Sequence, residues 1–246
     1  MAGLLISVRN AEEAQLALSA GVDILDIKEP DRGSLGAASS ETIANCVSLL
    51  QSNPMSTPIP PLSIALGELS QLPEWFLSSQ LQEHDYLRGI HYVKVGLAGE
   101  RENEKWPESL KSVYKRFPPT VQPVGVVYAD WQTVDAPSPK TMFESAPNLG
   151  YQTLLVDTCQ KDGRSLLDYW PHKELTRWVS EVKKKNYQLV LAGSLTEVTI
   201  PQVLALSPDF IAVRGAACKE GRTSQLDSQR IEQLKRQLIE TFQEQT

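Results

Sequence analysis

The sequence predicts a (β/α)8 barrel, and three observations support this prediction. Eight short runs rich in aliphatic and β-branched residues recur along the chain. Segments with helical periodicity lie between these runs, which is the pattern of parallel βαβ units. The 246 residues are enough for eight such units, so residues 1–246 are expected to form a single domain. No GxGxxG motif follows the first run, which disfavours an open dinucleotide-binding sheet.

Each predicted element has a local signal in the sequence. The first helix, AEEAQLALSA, follows Asn10, a residue type that caps helices, and its first turn is acidic as the helix dipole prefers. The last helix, roughly 226 to 243, has an apolar face formed by Ile231, Leu234, Leu238 and Phe242. The predicted strands are LLISV (4–8), VDILDIK (22–28), LSIAL (62–66), HYVKVG (91–96), PVGVVYAD (123–130), TLLVD (153–157), QLVLAG (188–193) and DFIAVRG (209–215).

Charge and hydropathy exclude several classes of partner. The net charge is −6 and the pI is about 5.2, so we expect no nucleic-acid partner and no anionic membrane surface. The start, MAGLLISVRN, is too short an apolar run for a signal peptide, and no segment has the length of a membrane span. A soluble cytoplasmic protein is therefore expected. The oligomeric state stays open, a homo-oligomer included.

The cysteines and histidines form no metal-binding pattern. Cys46, Cys159 and Cys218 are odd in number and far apart, and none has the spacing of a zinc ligand. The three histidines form neither HxH nor HxxxH. We therefore expect no protein-bound metal and no cofactor.

Polar residues interrupt the predicted strands near their carboxyl ends. Side chains alternate along a strand, so the apolar Leu25 and Ile27 face the helices while Asp26 and Lys28 point into the barrel. The same reasoning directs five further side chains inward, those of Lys94, Tyr128, Asp130, Asp157 and Arg214. Barrels build active sites where the carboxyl ends of strands converge. Because several buried charges at one end are poorly explained by stability, a functional site is expected there.

Two inward lysines on different strands suggest a particular chemistry. A lysine that is desolvated and close to another cation has a lowered pKa, and its neutral amine can attack a carbonyl. Asp26 could orient Lys28 and shuttle protons, and Asp157 could serve Lys94 in the same way. Lys161, on the loop after the sixth strand, lies either above this site or in solvent. The same charges could instead bind only an anionic ligand.

Small residues after the last two strands suggest phosphate binding. AGSL (192–195) and RGAACKEG (214–221) occupy the position where many barrels hold phosphate through backbone amides. In PDRGSLGA (30–37), Ser34 belongs either to a second phosphate cradle or to a plain turn. The candidate phosphate-binding residues are thus Ser34, Gly193, Ser194, Arg214, Gly215 and Ala216.

Several of these motifs together resemble one known family. DIKEPDRGSLGA, YVKVGL, LLVDTCQKDGRSLLD, LAGSL and VRGAAC occur in order between residue 4 and about residue 235. In this combination they are similar to the (5-formylfuran-3-yl)methyl phosphate synthase family, also described as 4-(hydroxymethyl)-2-furancarboxaldehyde-phosphate synthases. The resemblance implies an aldolase-like barrel that makes the furan precursor of methanofuran or of a related one-carbon cofactor.

The resemblance also implies a substrate and residue roles. The implied reaction condenses two molecules of glyceraldehyde 3-phosphate, with loss of one phosphate and water. Lys28 matches the family's Schiff-base lysine and Lys94 its proton acceptor. Asp26, Asp157 and Lys161 match further charged residues of the site, to which we assign orientation, proton transfer and charge neutralisation respectively. Two alternatives stay open, another Schiff-base aldolase acting on a sugar phosphate and a non-catalytic barrel that binds a phosphorylated metabolite.

Overall fold

The fold is a closed barrel of eight parallel strands in the order β1 to β8. A computed structural model describes residues 1–52, 59–78 and 85–244. All eight predicted strands are present, each within a few residues of its predicted bounds, so the predicted (β/α)8 fold class is confirmed. The strands are β1 (Gly3–Val8), β2 (Ile24–Ile27), β3 (Leu62–Glu68), β4 (Tyr92–Gly96), β5 (Gln122–Tyr128), β6 (Thr153–Asp157), β7 (Gln188–Leu191) and β8 (Phe210–Val213).

Helices follow the strands around the outside of the barrel. The helices of the described residues are α1 (Ala11–Ser19), α2 (Ser40–Ser52), α3 (Glu74–Leu77), α4 (Trp106–Tyr114), α5 (Pro139–Leu149), α6 (Leu166–Tyr169), α7 (His172–Lys184), α8 (Ile200–Leu204) and α9 (Ser228–Glu244). None of these helices has an apolar stretch long enough to cross a bilayer.

The first and last helices show how well local signals predicted their positions. The Asn10 side chain accepts a hydrogen bond from the Glu13 amide at 2.9 Å, so the predicted cap of α1 is confirmed. On α9, Leu234 and Leu238 are buried against the barrel as predicted. Phe242, the fourth residue of the predicted apolar face, lies in the last turn of the helix and is 45% exposed.

Alternation along the strands separates two apolar cores. The larger core lies between the sheet and the helices and includes Leu25 and Ile27, as predicted. The smaller core fills the barrel and includes Val126 and Leu155. On β3 the inward positions include Ser63 and Ala65, whose small side chains leave room inside the barrel for longer side chains from strands β2 and β4.

Candidate active site

A cavity of about 660 Å³ opens at the carboxyl ends of the strands. This is the end at which (β/α)8 barrels position reactive groups. Ten of the eleven residues predicted for the site line the cavity, and they come from strands β2, β4, β6, β7 and β8 or from the loops that follow them. They are Asp26, Lys28, Lys94, Asp157, Lys161, Gly193, Ser194, Arg214, Gly215 and Ala216.

Asp26 and Lys94 form a buried ion pair across β3. The Lys94 Nζ atom lies 2.5 Å from Asp26 Oδ1, and the Ser7 hydroxyl donates to Asp26 Oδ2 at 3.1 Å. Burial alone would raise the pKa of Asp26, but the charges of Lys94 and Lys28 outweigh it and hold that pKa below its ordinary value. Asp26 is therefore an ionised carboxylate at neutral pH.

Asp157 and Lys161 form a second pair at the end of β6. Lys161 Nζ donates to Asp157 Oδ1 at 2.9 Å and to the Thr158 hydroxyl at 3.0 Å. The Thr158 amide also donates to Asp157 Oδ1, at 2.7 Å. Burial would raise the pKa of Asp157, but Lys161 and Lys28 lower it further than burial raises it. Lys161 thus lies at the site and not in solvent, the two locations that the sequence left open.

Lys28 lies between these pairs and has no carboxylate of its own. Its Nζ donates to the backbone carbonyl of Ser34 at 3.1 Å, and no ion pair includes it within the described residues. Burial lowers the pKa of Lys28 from 10.5 to about 8, although the charges of Asp157 and Asp26 oppose this effect. Among the three lysines that line the cavity, Lys28 is therefore the one held without a counterion.

The observed pairing differs from the pairing that the sequence favoured. Sequence spacing suggested Asp26 with Lys28 and Asp157 with Lys94, whereas Asp26 pairs with Lys94 and Asp157 with Lys161. The reason is the small inward side chain of Ala65, which is the register partner of Lys94 on β3. The Lys94 side chain can cross this position inside the barrel and reach β2.

Ser34 lies behind the cavity rather than on its surface. Its hydroxyl lies 3.0 Å from Asp157 Oδ2 and 2.9 Å from the Thr158 carbonyl oxygen, and its side chain is buried. Its own carbonyl accepts from Lys28. This position allows Ser34 to orient Lys28 and Asp157, and its side chain does not line the cavity. The sequence left Ser34 open between a phosphate cradle and a plain turn.

The ends of β7 and β8 present backbone amides to the cavity. In the described parts of the chain, the amides of Gly193, Ser194, Gly215 and Ala216 have no protein acceptor. Gly193 and Ser194 have φ angles of 100° and 49°. Ser194 therefore occupies the left-handed region that non-glycine residues rarely adopt, a form of strain that clusters at functional sites. Four free amide donors on one cavity can bind an anion.

Arg214 lines the cavity, but its guanidinium is already saturated with protein acceptors. It forms a buried ion pair with Glu13, with Nη1 and Nη2 at 2.7 and 3.2 Å from the carboxylate oxygens. Its other N–H groups donate to the carbonyls of Ser7, Arg222 and Ser224. These bonds engage all five donors of the side chain. Arg214 therefore holds the loop after β8 and has no N–H left for a phosphate.

Sequence reasoning missed two features near the barrel mouth. Arg222 lines the cavity and donates to the carbonyl of Gly33 at 2.8 Å. Tyr128 points inward as predicted, but its hydroxyl donates to Glu68 at 2.6 Å, above Gly96. Sequence spacing alone could not show that a partly buried carboxylate on β3 pairs with a tyrosine on β5. The signal for Arg222 was a second arginine in the glycine-containing loop that follows β8.

Among the described residues, no group of three or more His, Cys, Asp or Glu side chains is arranged to hold a metal ion. The two carboxylates that line the cavity on β2 and β6 are each paired with a lysine. The site is thus organised around lysine side chains.

Relatives of the chain are found among archaeal synthases. The enzyme named (5-formylfuran-3-yl)methyl phosphate synthase in Methanosarcina mazei is 29% identical over 94% of this chain and 97% of its own length. The Methanococcus maripaludis enzyme of the same name is 32% identical over 89% of this chain and 90% of its own length. The Methanocaldococcus jannaschii enzyme, also of that name, is 31% identical over 94% and 97%.

Solved structures with a similar fold have lower sequence identity. Phosphoribosyl anthranilate isomerase from Thermotoga maritima superposes with a TM-score of 0.63 at 15% identity, covering 99% of both chains. KGPDC from Streptococcus mutans superposes with a TM-score of 0.61 at 13% identity, covering 98% of this chain and 99% of that one. At these identities the likeness extends to the barrel fold alone.

Family membership is decided by sequence. The model of the 4-HFC-P synthase family matches residues 4–235, which include all eight strands apart from the first residue of β1 and every residue of the cavity discussed above. Since this match extends over nearly the whole chain and agrees with the named relatives, the chain belongs to the 4-HFC-P synthase family.

Proposed function

We propose that this protein is a (5-formylfuran-3-yl)methyl phosphate synthase, a carbon–oxygen lyase that acts through a lysine Schiff base. It condenses two molecules of glyceraldehyde 3-phosphate into 4-(hydroxymethyl)-2-furancarboxaldehyde phosphate. The balance requires loss of one phosphate and two molecules of water, with no net oxidation or reduction. The product would serve as a furan precursor for methanofuran-type cofactors.

The observation that carries this proposal is the environment of Lys28. Its amine is buried, has no carboxylate partner in the described part of the chain, and has a pKa lowered to about 8 by burial. A neutral amine attacks the aldehyde carbon, and loss of water from the carbinolamine forms the imine. Protonated, this imine withdraws electrons from the adjacent carbon and makes its C–H acidic.

The pair of Asp26 and Lys94 is the best candidate for the proton transfer that follows. Lys94 can accept a proton only after it has released one, and the Asp26 carboxylate at 2.5 Å can receive it. The Lys94 amine then removes the acidic C–H proton, which leaves an enamine on Lys28. The enamine expels the phosphate on its neighbouring carbon, and the enol that remains bonds through that carbon to the carbonyl carbon of the second triose phosphate in its ketose form.

The second pair is suited to the eliminations that close and aromatise the ring. Lys161 can neutralise the negative charge of a departing phosphate, while Asp157 accepts or returns protons. The free amides of Gly193, Ser194 and Gly215 are suited to hold a phosphate that stays on the substrate.

The product formed from glyceraldehyde 3-phosphate alone tests this function. We expect release of inorganic phosphate together with a furan aldehyde chromophore, in equal amounts, and Lys28→Arg should release neither. Guanidinium keeps the charge but is not nucleophilic. Ordinary aldol or retro-aldol products would identify a different Schiff-base aldolase, and binding without turnover would identify a non-catalytic barrel.

A further inference from the structure

Arg222 connects the loop after β8 to the turn that holds Lys28. Its Nη2 donates to the Gly33 carbonyl at 2.8 Å, and the next carbonyl, that of Ser34, accepts from Lys28 Nζ at 3.1 Å. Consecutive Cα atoms are about 3.8 Å apart, so the guanidinium and the amine lie on the order of 10 Å apart. A triose phosphate that is attached to Lys28 through its aldehyde carbon could therefore reach Arg222 with its phosphate.

Hydrogen bonds from Arg214 and Ser224 fix the backbone of the loop that carries Arg222. Arg214 donates to the Arg222 carbonyl at 2.5 Å and to the Ser224 carbonyl at 3.1 Å, and its ion pair with Glu13 anchors it to α1. The Ser224 amide and hydroxyl both donate to the Gly221 carbonyl, at 3.0 and 2.9 Å. A fixed backbone reduces the conformational entropy that Arg222 loses when it binds a ligand.

Arg222 is also a half-buried charge without a counterion. Within the described residues it forms no ion pair, and Gly33 accepts from one of its five N–H groups. Burial lowers the pKa of Arg222, and the charge of Arg214 acts in the same direction. A partly buried guanidinium without an anion lowers the stability of the fold. An anionic ligand that pairs with Arg222 would explain why the protein keeps this charge there.

We propose that Arg222 binds the phosphate of the aldehyde that forms the imine with Lys28, and so makes imine formation selective for a phosphorylated aldehyde. This inference rests on the imine chemistry proposed above. Arg222 is distinct from the backbone amides of Gly193 and Gly215, which are suited to hold the other phosphate. Two triose phosphates thus find two separate anion subsites in one cavity.

Imine trapping with two aldehydes tests the role of Arg222. Full-length protein is treated with borohydride in the presence of glyceraldehyde 3-phosphate or unphosphorylated glyceraldehyde, and the adduct on Lys28 is measured by mass spectrometry. Arg222→Gln and Arg222→Lys are compared with Arg177→Gln, which removes the same charge from the exposed outer surface of α7.

Arg222→Gln should raise the half-saturating concentration of glyceraldehyde 3-phosphate about 10- to 100-fold, the usual effect of losing a charge-assisted hydrogen bond. The value for glyceraldehyde should change less than about 2-fold, because it has no phosphate to lose. For glyceraldehyde 3-phosphate, the half-saturating concentration of Arg222→Lys should lie between those of the unmodified protein and Arg222→Gln. Arg177→Gln should have the same value as the unmodified protein. An unchanged value for glyceraldehyde 3-phosphate, or an equal loss with both aldehydes, would overturn the proposal.

A titration with inorganic phosphate tests the anion contact without any imine. Calorimetry should show weaker phosphate binding to Arg222→Gln than to the unmodified protein and to Arg177→Gln. Equal affinities would refute the assignment of Arg222. If the unmodified protein binds phosphate through Arg222 yet traps no aldehyde, the proposed imine chemistry fails and the anion subsite stands.

Discussion

Lys28 differs from Lys94 and Lys161 in what surrounds its amine. The other two lysines each have a carboxylate oxygen within 2.9 Å. Lys28 has the Ser34 carbonyl, a neutral acceptor that can bind an amine in either protonation state. Lys28, the proposed nucleophile, therefore differs from the two ion-paired lysines in the acceptor of its hydrogen bond.

The rate of imine formation should follow the neutral fraction of Lys28. Its pKa of about 8 predicts a rate that rises roughly tenfold per pH unit below pH 7 and levels off above pH 8, whereas an ordinary lysine would level off near pH 10.5. Cyanoborohydride trapping at saturating glyceraldehyde 3-phosphate measures this profile. A rate that is still rising between pH 9 and pH 10 would contradict the lowered pKa.

Asp157→Asn provides a control for the direction of this profile. The Asp157 carboxylate raises the pKa of Lys28, so its removal should move the midpoint to lower pH. A midpoint that moves to higher pH would mean that the observed titration belongs to another group.

At the residue scale, strand alternation predicted directions but not partners. It placed Asp26, Lys28, Lys94 and Asp157 in one cavity, since side-chain direction depends only on position along a strand. Ion-pair partners depend on side-chain length and on the space inside the barrel, which spacing does not encode. Two of the five hydrogen bonds of Arg214 go to Glu13 on α1, which is far away in the sequence. Spacing could not predict this partner either.

At the scale of elements, Gly96 allows three strands to meet at the barrel mouth. Glu68 on β3 accepts from the Tyr128 hydroxyl on β5 and from the Ala98 amide after β4. A methyl group at Gly96 would overlap the side-chain oxygens of both Glu68 and Tyr128. The register shift between Ala65 and Glu68 helps to place this carboxylate, and no sequence signal marks that shift.

Gly96→Ala should therefore destabilise the protein by about 1–3 kcal/mol, because the new methyl group overlaps the side-chain oxygens of Glu68 and Tyr128. Urea unfolding measures this cost. Combining it with Glu68→Ala should cost less than the sum of the two single substitutions, since the truncated side chain makes room for the methyl group. Strict additivity would show that Gly96 is not required for this contact. Gly215→Ala, whose added carbon would approach nothing closer than 3.8 Å, is the matched control for stability.

At the scale of the whole molecule, the closed barrel couples all eight strands through consecutive hydrogen-bonded pairs, including β8 with β1. The rhythm of strands and helices predicted this arrangement because each βα unit repeats the same local pattern. We propose that residues 1–246 unfold as one domain. Circular dichroism and tryptophan fluorescence should give coincident urea transitions, whereas two separated transitions would contradict a single cooperative unit.

The central claim is that Lys28 forms an imine with a triose phosphate, and borohydride reduction followed by mass spectrometry of the Lys28 peptide tests it most directly. With glyceraldehyde 3-phosphate the account predicts a reduced adduct on Lys28, retained in Lys94→Gln and absent in Lys28→Arg. An unmodified Lys28, or an adduct on Lys94 or Lys161 instead, would contradict the account.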